Sequence, residues 1–144
     1  ARIWGTSFVP RRRRSTPQTD AYLSRTTLHD DRWAGPTMVM ALSVARPPAR
    51  LALSGTTMVG RLTTPLTIEA FLDGRSLGQR SVAEDALSLT WPVAGIVPGQ
   101  HELKLVANTY LVPHDSFGNQ DYRPLSYCVA RVELEDESGA GCLA

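Results

Sequence analysis

"LTIEAFLDG", residues 66–74, alternates apolar and polar side chains and then ends in an Asp-Gly pair. This period-two alternation gives an extended strand one apolar face and one polar face, as in a half-buried antiparallel sheet. Asp-Gly is the strongest short-range signal for a two-residue hairpin turn. The stretch therefore predicts a strand followed by a hairpin, with the inward face formed by Leu66, Ile68, Ala70 and Leu72.

The same alternation recurs along the chain, whereas helical periodicity is scarce. Turn signals such as Pro98-Gly99 separate the alternating stretches. This pattern predicts an all-β fold, an antiparallel β-sandwich of about eight strands. The predicted inward faces are Met38, Met40, Leu42 and Val44; Leu51 and Leu53; Leu87, Leu89, Trp91 and Val93; Leu103, Leu105 and Ala107; and Cys128, Ala130, Val132 and Leu134.

The length of 144 residues suits one domain flanked by two short segments. We expect residues 1–21 to be a basic N-terminal segment that includes a possible first strand in "IWGTSFV", residues 3–9. Residues 22–136 should form the β-sandwich domain, and the Gly-rich residues 137–144 a flexible tail. No apolar run approaches the ~20 residues that a membrane-spanning helix needs.

The charge distribution bears on nucleic-acid binding, and the cysteine content bears on the cellular location of the protein. The net charge is only +1, although Arg11–Arg14 form a basic run. Such a run could contact phosphates, but a solvated basic segment is the favoured interpretation, because the rest of the chain lacks the wide basic face of a nucleic-acid binder. Cys128 and Cys142 make no disulfide framework or zinc pattern, which slightly favours a cytoplasmic location and leaves their pairing open.

Aromatic and planar polar side chains converge on the loop that precedes the last strand. Saccharide sites combine an apolar ring platform with a few polar anchors. We therefore predict a carbohydrate-binding lip formed by Trp33, Tyr110, His114, Asp121, Tyr122 and Arg123. The alternative is that the loop packs as a structural crossing, with Arg123 paired to Asp121 or to Asp30 or Asp31.

The same loop offers hard oxygen donors in Asp115, Asn119 and Asp121, which could suit calcium. Their alternative role is to cap turns through side-chain to backbone hydrogen bonds. No nucleophile elbow, phosphate-binding glycine loop or metalloprotease motif is present. The neighbouring side chains of a His-Asp pair on an extended segment point to opposite faces. We therefore expect that this protein is not an enzyme and that calcium is the only candidate cofactor.

Four segments together resemble a known family: "DDRWAGPTMVMALSV" (30–44), "PLTIEAFLDGRSLGQ" (65–79), "VPGQHELKLVANTYLVP" (97–113) and "QDYRPLSYCVARVEL" (120–134). They resemble the accessory β-sandwich domain of bacterial glycosyltransferases, which is similar to carbohydrate-binding modules and galactose-binding-like jelly rolls. The resemblance implies a jelly-roll-like, non-catalytic module whose partner is a saccharide or an attached or neighbouring glycosyltransferase. A structural or protein-docking module without a small ligand is the alternative, and a small hydrolase is a less favoured third.

Overall fold

The computed structural model describes residues 16–23, 25 and 27–144, and over these residues the chain is a β-sandwich. Two antiparallel sheets of four strands each face one another, which confirms the all-β prediction. A helix, α1 (Pro17–Leu23), precedes the strands; a 3₁₀ turn (Val59–Arg61) follows the third strand and α2 (Pro113–Phe117) the seventh. The strands are β1 (Trp33–Ala34), β2 (Thr37–Val44), β3 (Arg50–Thr56), β4 (Leu66–Leu72), β5 (Arg75–Val82), β6 (Ala86–Pro92), β7 (Gly99–Ala107) and β8 (Tyr127–Glu135).

The strand order is that of a jelly roll. One sheet has the order β1-β8-β3-β6 and the other β2-β7-β4-β5. Every connection between consecutive strands therefore crosses from one sheet to the other, except the β4–β5 hairpin at Asp73-Gly74. Two sheets joined in this way close over one core, which is how jelly rolls protect their edges.

The connections define two ends of the sandwich. The long-loop end carries the β3–β4 connection (57–65) and the β7–β8 connection (108–126). The hairpin end carries the β4–β5 turn (73–74) and the β6–β7 connection (93–98). Binding residues usually lie on loops at the ends of a rigid scaffold, so each end of the sandwich is a candidate position for a binding site.

The core lies between the sheets, where the alternation predicted it. Leu66, Ile68, Ala70 and Leu72 on β4 are all buried. Trp91 is fully buried, as its parity with Leu87 predicts. Three residues predicted to be inward are only partly buried and pack against the edge of the core: Met40, Leu89 and Val132.

Strand β8 departs from the predicted alternation because of a β-bulge. Ser54 on β3 pairs with Arg131 and Gly55 pairs with Val129, so Ala130 is an extra residue without a partner on β3. One extra residue inverts the face on which each following side chain lies. Val129 is therefore buried, while Cys128 is only half-buried and Ala130 is exposed, so the predicted inward placement of Cys128 and Ala130 is wrong.

The C-terminal residues fold back onto the sandwich rather than extending as the flexible tail predicted for 137–144. Gly141 pairs with Glu135, and Leu143 pairs with Val44 at the end of β2. The Cys142 side chain is fully buried, and its backbone N–H donates to the Leu134 carbonyl at 2.7 Å. These contacts bury an apolar residue against the core and satisfy strand-edge backbone groups. Both cysteines are free thiols.

Helix α1 is an element that the alternation did not predict. The hydroxyl of Thr16 accepts the Thr19 N–H at 3.2 Å, and Pro17 occupies the first helical position. This is the usual chemistry of a helix start, with a capping hydroxyl and a proline that needs no donor. The predicted strand at 3–9 and Arg11–Arg14 lie outside the described residues. No helix in the described part of the chain is long and apolar enough to cross a membrane.

Tyr127 on β8 places an unpaired hydroxyl group in the core, and this group should lower the stability of the fold. Its hydroxyl is buried and has no hydrogen-bond partner among the described residues, and burial raises the pKa of its phenol. An unpaired buried hydroxyl costs stability. We therefore expect Tyr127→Phe to raise the free energy of unfolding by about 1 kcal/mol in urea denaturation. A loss of stability on this change would mean that the hydroxyl is paired.

Candidate functional site

The β7–β8 connection is shaped by its own Asn and Asp side chains and by the backbone of Gly118, in agreement with the structural-crossing alternative. Gly118 ends α2 in the left-handed conformation, with φ 72°, and its N–H donates to the His114 carbonyl at 2.9 Å. The Asn119 side-chain oxygen accepts the Asp121 N–H at 2.9 Å. One Asp121 carboxylate oxygen in turn accepts the Arg123 N–H at 3.1 Å. These bonds hold residues 119–123 in a defined turn.

Arg123 joins two carboxylates at this end of the sandwich. Its Nε and Nη2 atoms donate to Asp121 at 2.9 and 2.7 Å, and its Nη1 and Nη2 atoms donate to Asp31 at 3.2 and 2.9 Å. This confirms the alternative in which Arg123 is paired internally. Four of the five guanidinium N–H groups donate to a carboxylate, which leaves one N–H on Nη1 without a partner among the described residues.

The same contacts set the charge states of the cluster. Hydrogen bonds from Arg123 hold the pKa of both Asp31 and Asp121 below its usual range, because they stabilise the ionised carboxylates. The two carboxylates raise the pKa of Arg123, so the guanidinium stays charged. Nearby, burial and the charge of Arg123 lower the pKa of His29. Asp31, Asp121 and Arg123 are therefore stabilised in their charged forms.

His114 stacks on Tyr122. The two rings stack with centroids 4.2 Å apart and planes inclined by 26°. The His114 Nδ1 atom is also hydrogen-bonded to the Asn119 carbonyl. One face of Tyr122 is thus covered, and stacking and the turn together fix the direction of its ring.

A wide groove with a volume of about 760 Å³ lies between α1 and the 119–123 turn. Gln18, Tyr22 and Arg25 line one side, and residues 119–123 line the other. The buried Thr19 joins the two sides, because its hydroxyl donates to the Tyr122 carbonyl at 2.7 Å. The Arg25 guanidinium lies over the Tyr22 ring at 5.0 Å from its centroid. We call this feature the α1 groove.

The α1 groove contains half of the predicted binding residues. Asp121, Tyr122 and Arg123 line it, whereas Trp33 and Tyr110 do not. Trp33 lies in β1 opposite Cys128, where it is part of the sheet. Three further groove residues, which lie on or just after α1, were not predicted from the sequence: Gln18, Tyr22 and Arg25. The Thr16-Pro17 pair was the signal that could have revealed this helix.

Known proteins offer no further guide to this site. Comparison of the chain with models of protein families, with curated proteins and with solved structures finds no match. The resemblance to glycosyltransferase accessory domains therefore stays a prediction.

Two of the three oxygen donors predicted to bind calcium, Asn119 and Asp121, form hydrogen bonds within the turn. The Asp121 carboxylate is occupied by Arg123, whose positive charge would oppose a bound cation. The Asn119 side-chain oxygen accepts a backbone N–H. Among the described residues, no group of three or more His, Cys, Asp or Glu side chains is placed to hold a metal ion. The calcium site formed by Asp115, Asn119 and Asp121 therefore stays a prediction.

The Arg123 cluster predicts a specific pH dependence of stability. When the pKa of a carboxylate is lower in the folded state than in the unfolded state, its ionised form stabilises the fold at pH values above the ordinary pKa, here 3.8. This stabilisation is lost as the pH falls through the folded-state pKa. We expect Arg123→Gln to lower the free energy of unfolding at pH 7 by about 1–2 kcal/mol, a modest figure because solvent screens these partly exposed groups. The loss relative to wild type should shrink below about pH 4.

Urea denaturation at several pH values measures this dependence. Arg131→Gln is a matched control, since Arg131 pairs with Glu133 at 2.7 Å on the exposed sheet face. We expect the control to change stability by less than about 0.5 kcal/mol. A destabilisation by Arg123→Gln that is the same at pH 3 and pH 7 contradicts the assigned ion pairs.

Proposed function

We propose that this chain is a non-catalytic accessory module that binds a saccharide in the α1 groove, and that it accompanies a glycosyltransferase. The observation that supports this best is the presence of two tyrosine rings, Tyr22 and Tyr122, in one open groove at the end of a rigid sandwich. Aromatic rings offer an apolar surface with a polar tip, which suits the C–H faces and hydroxyls of a sugar ring.

The polar groups of the groove suit hydroxyl recognition. Gln18, Asn119 and Gln120 have exposed amide side chains, each able to donate and accept. The Asp121 carboxylate receives three hydrogen bonds, all from Arg123, out of an acceptor capacity of about four. Asp121 therefore retains capacity to accept one bond from a sugar hydroxyl. In this proposal Arg123 positions Asp121 and does not itself bind the sugar.

A glycan array followed by titration calorimetry tests the proposal. Tyr22→Ala and Tyr122→Ala each remove one ring from the groove, and each should lower the affinity for a glycan by about tenfold or more. Phe71→Ala is the matched control, because Phe71 lies on β4, away from the groove, beneath the Lys104 ammonium at 5.1 Å. Its affinity should equal that of wild type. Wild-type affinity in both tyrosine variants would show that the α1 groove is not the binding site.

Protein docking is the second candidate, favoured by apolar side chains exposed at the long-loop end. Phe117 is 49% exposed, and Met58 is also exposed. The Arg61 guanidinium lies 4.9 Å from the centroid of the Phe117 ring, which places Phe117 beside the 3₁₀ turn. If the protein binds no glycan on the array, protein docking becomes the preferred function.

A further inference from the structure

A second pocket, with a volume of about 410 Å³, lies at the hairpin end of the sandwich, opposite the α1 groove. It is formed by the β4–β5 hairpin and the β6–β7 connection. Leu72, Leu77 and Ile96 contribute apolar walls, and Asp73, Arg75 and His101 contribute polar groups. A concave apolar site with a few converging polar groups is the usual form of a small-molecule site. We call it the hairpin pocket.

His101 connects the two walls of this pocket through hydrogen bonds. Its Nδ1 atom lies 2.6 Å from an Asp73 carboxylate oxygen, and its Nε2 atom lies 2.6 Å from the Val97 carbonyl. Both partners are acceptors, so this geometry favours the doubly protonated imidazolium form of the ring. The His101 side chain is only 11% exposed. The hydrogen bond to Asp73 is also the main reason that the pKa of His101 is raised.

The charges of the hairpin pocket leave one cation uncompensated. The Asp73 carboxylate and the His101 imidazolium neutralise each other, and Asp73 also accepts the Glu102 N–H at 2.8 Å. Arg75 lines the pocket but forms no ion pair or hydrogen bond through its side chain with another described residue. A guanidinium beside an apolar wall complements a carboxylate that carries an apolar chain.

We propose that the hairpin pocket binds a small organic carboxylate, with its carboxylate paired to Arg75 and its apolar chain between Leu77 and Ile96, and that protonated His101 holds the pocket in shape. Loss of one His101 proton would leave a ring nitrogen lone pair facing either the Val97 carbonyl or the Asp73 carboxylate, and in both cases Asp73 would lose its counter-charge. Either change weakens the junction between the walls and places negative charge near the ligand. This site shares no residue with the α1 groove, so ligand binding in the hairpin pocket can be tested independently of saccharide binding.

Hexanoate and hexanol form a matched pair of probes, since they differ in the charged group and share the apolar chain. In an NMR titration, hexanoate should shift the methyl resonances of Leu77 and Ile96, and should bind about tenfold more tightly than hexanol. Arg75→Gln should weaken hexanoate by about tenfold and leave hexanol unchanged, whereas the control Arg131→Gln should change neither. Equal binding of hexanoate and hexanol, equal binding by wild type and Arg75→Gln, or no binding at millimolar hexanoate overturns the site.

The pH dependence of hexanoate binding tests the role of His101. The ligand is ionised throughout the range from about pH 6 to pH 9, so a change in affinity over this range reports on the protein. The groups that face the imidazole are Asp73 on the hairpin turn and the Val97 carbonyl on the β6–β7 connection; Arg75 lines the same pocket and does not titrate here. Affinity should fall in parallel with the titration of the His101 ring, observed by its own NMR signals. An affinity that stays constant while His101 titrates overturns the role given to it.

Discussion

Replacing Gly55 with alanine should lower the free energy of unfolding by about 3 kcal/mol or more. A Cβ atom at this position would lie 1.9 Å from the carbonyl oxygen of Cys128 and 3.1 Å from the backbone nitrogen of Ala130. Both contacts are with the backbone of β8 at the bulge, so rotation of a side chain cannot relieve them. Alanine must therefore push β3 away from β8, in the middle of their sheet, and break ladder hydrogen bonds there.

Urea denaturation monitored by far-ultraviolet circular dichroism measures this loss. Gly60→Ala is the matched control, because a Cβ at Gly60 would meet nothing within 4 Å. We expect the control to change stability by less than about 0.5 kcal/mol. If Gly55→Ala is as stable as the control, β3 and β8 do not approach each other as described and the bulge is misplaced.

Trp91→Ala should cost about 3–5 kcal/mol, because it removes the largest fully buried side chain of the core. The indole also links the two sheets. It extends from β6 in one sheet, and its N–H donates to the Gly78 carbonyl on β5 in the other at 3.0 Å. The Arg80 guanidinium lies 5.6 Å from the indole ring, at the open side between these two edge strands. Truncation therefore leaves both a cavity and an unpaired carbonyl.

Trp91→Phe separates these two effects, since it keeps most of the ring volume and loses the N–H donor. We expect it to cost about 1–2 kcal/mol, between wild type and Trp91→Ala. Thr90→Ala, at the adjacent exposed position, serves as the control, with an expected change below about 0.5 kcal/mol. Equal losses for Trp91→Ala and Thr90→Ala would contradict the placement of the indole in the core.

The candidate site could be predicted only where its residues are close in sequence. The turn formed by Asn119, Asp121 and Arg123 follows from local hydrogen-bonding chemistry, and it agrees with the alternative drawn from the sequence. The pairing of Arg123 with Asp31 was one of several options, because nothing local selects Asp31 over Asp30. Tyr22 was not predicted at all, since its place in the α1 groove depends on how α1 packs.

The alternation by itself determined which faces of most strands are buried. In β4, Leu66 to Leu72 obey it throughout, because side-chain direction along a strand is a property of the local backbone. The tertiary structure alone decided the inward face of β8, since the bulge that exposes Cys128 and buries Val129 depends on Gly55, a residue of another strand. It also decided the burial of Cys142 and the joining of α1 to the 119–123 turn through Thr19. Each of these arises from contacts between residues far apart in the chain, and a periodic pattern carries no information about which distant segment will supply the partner.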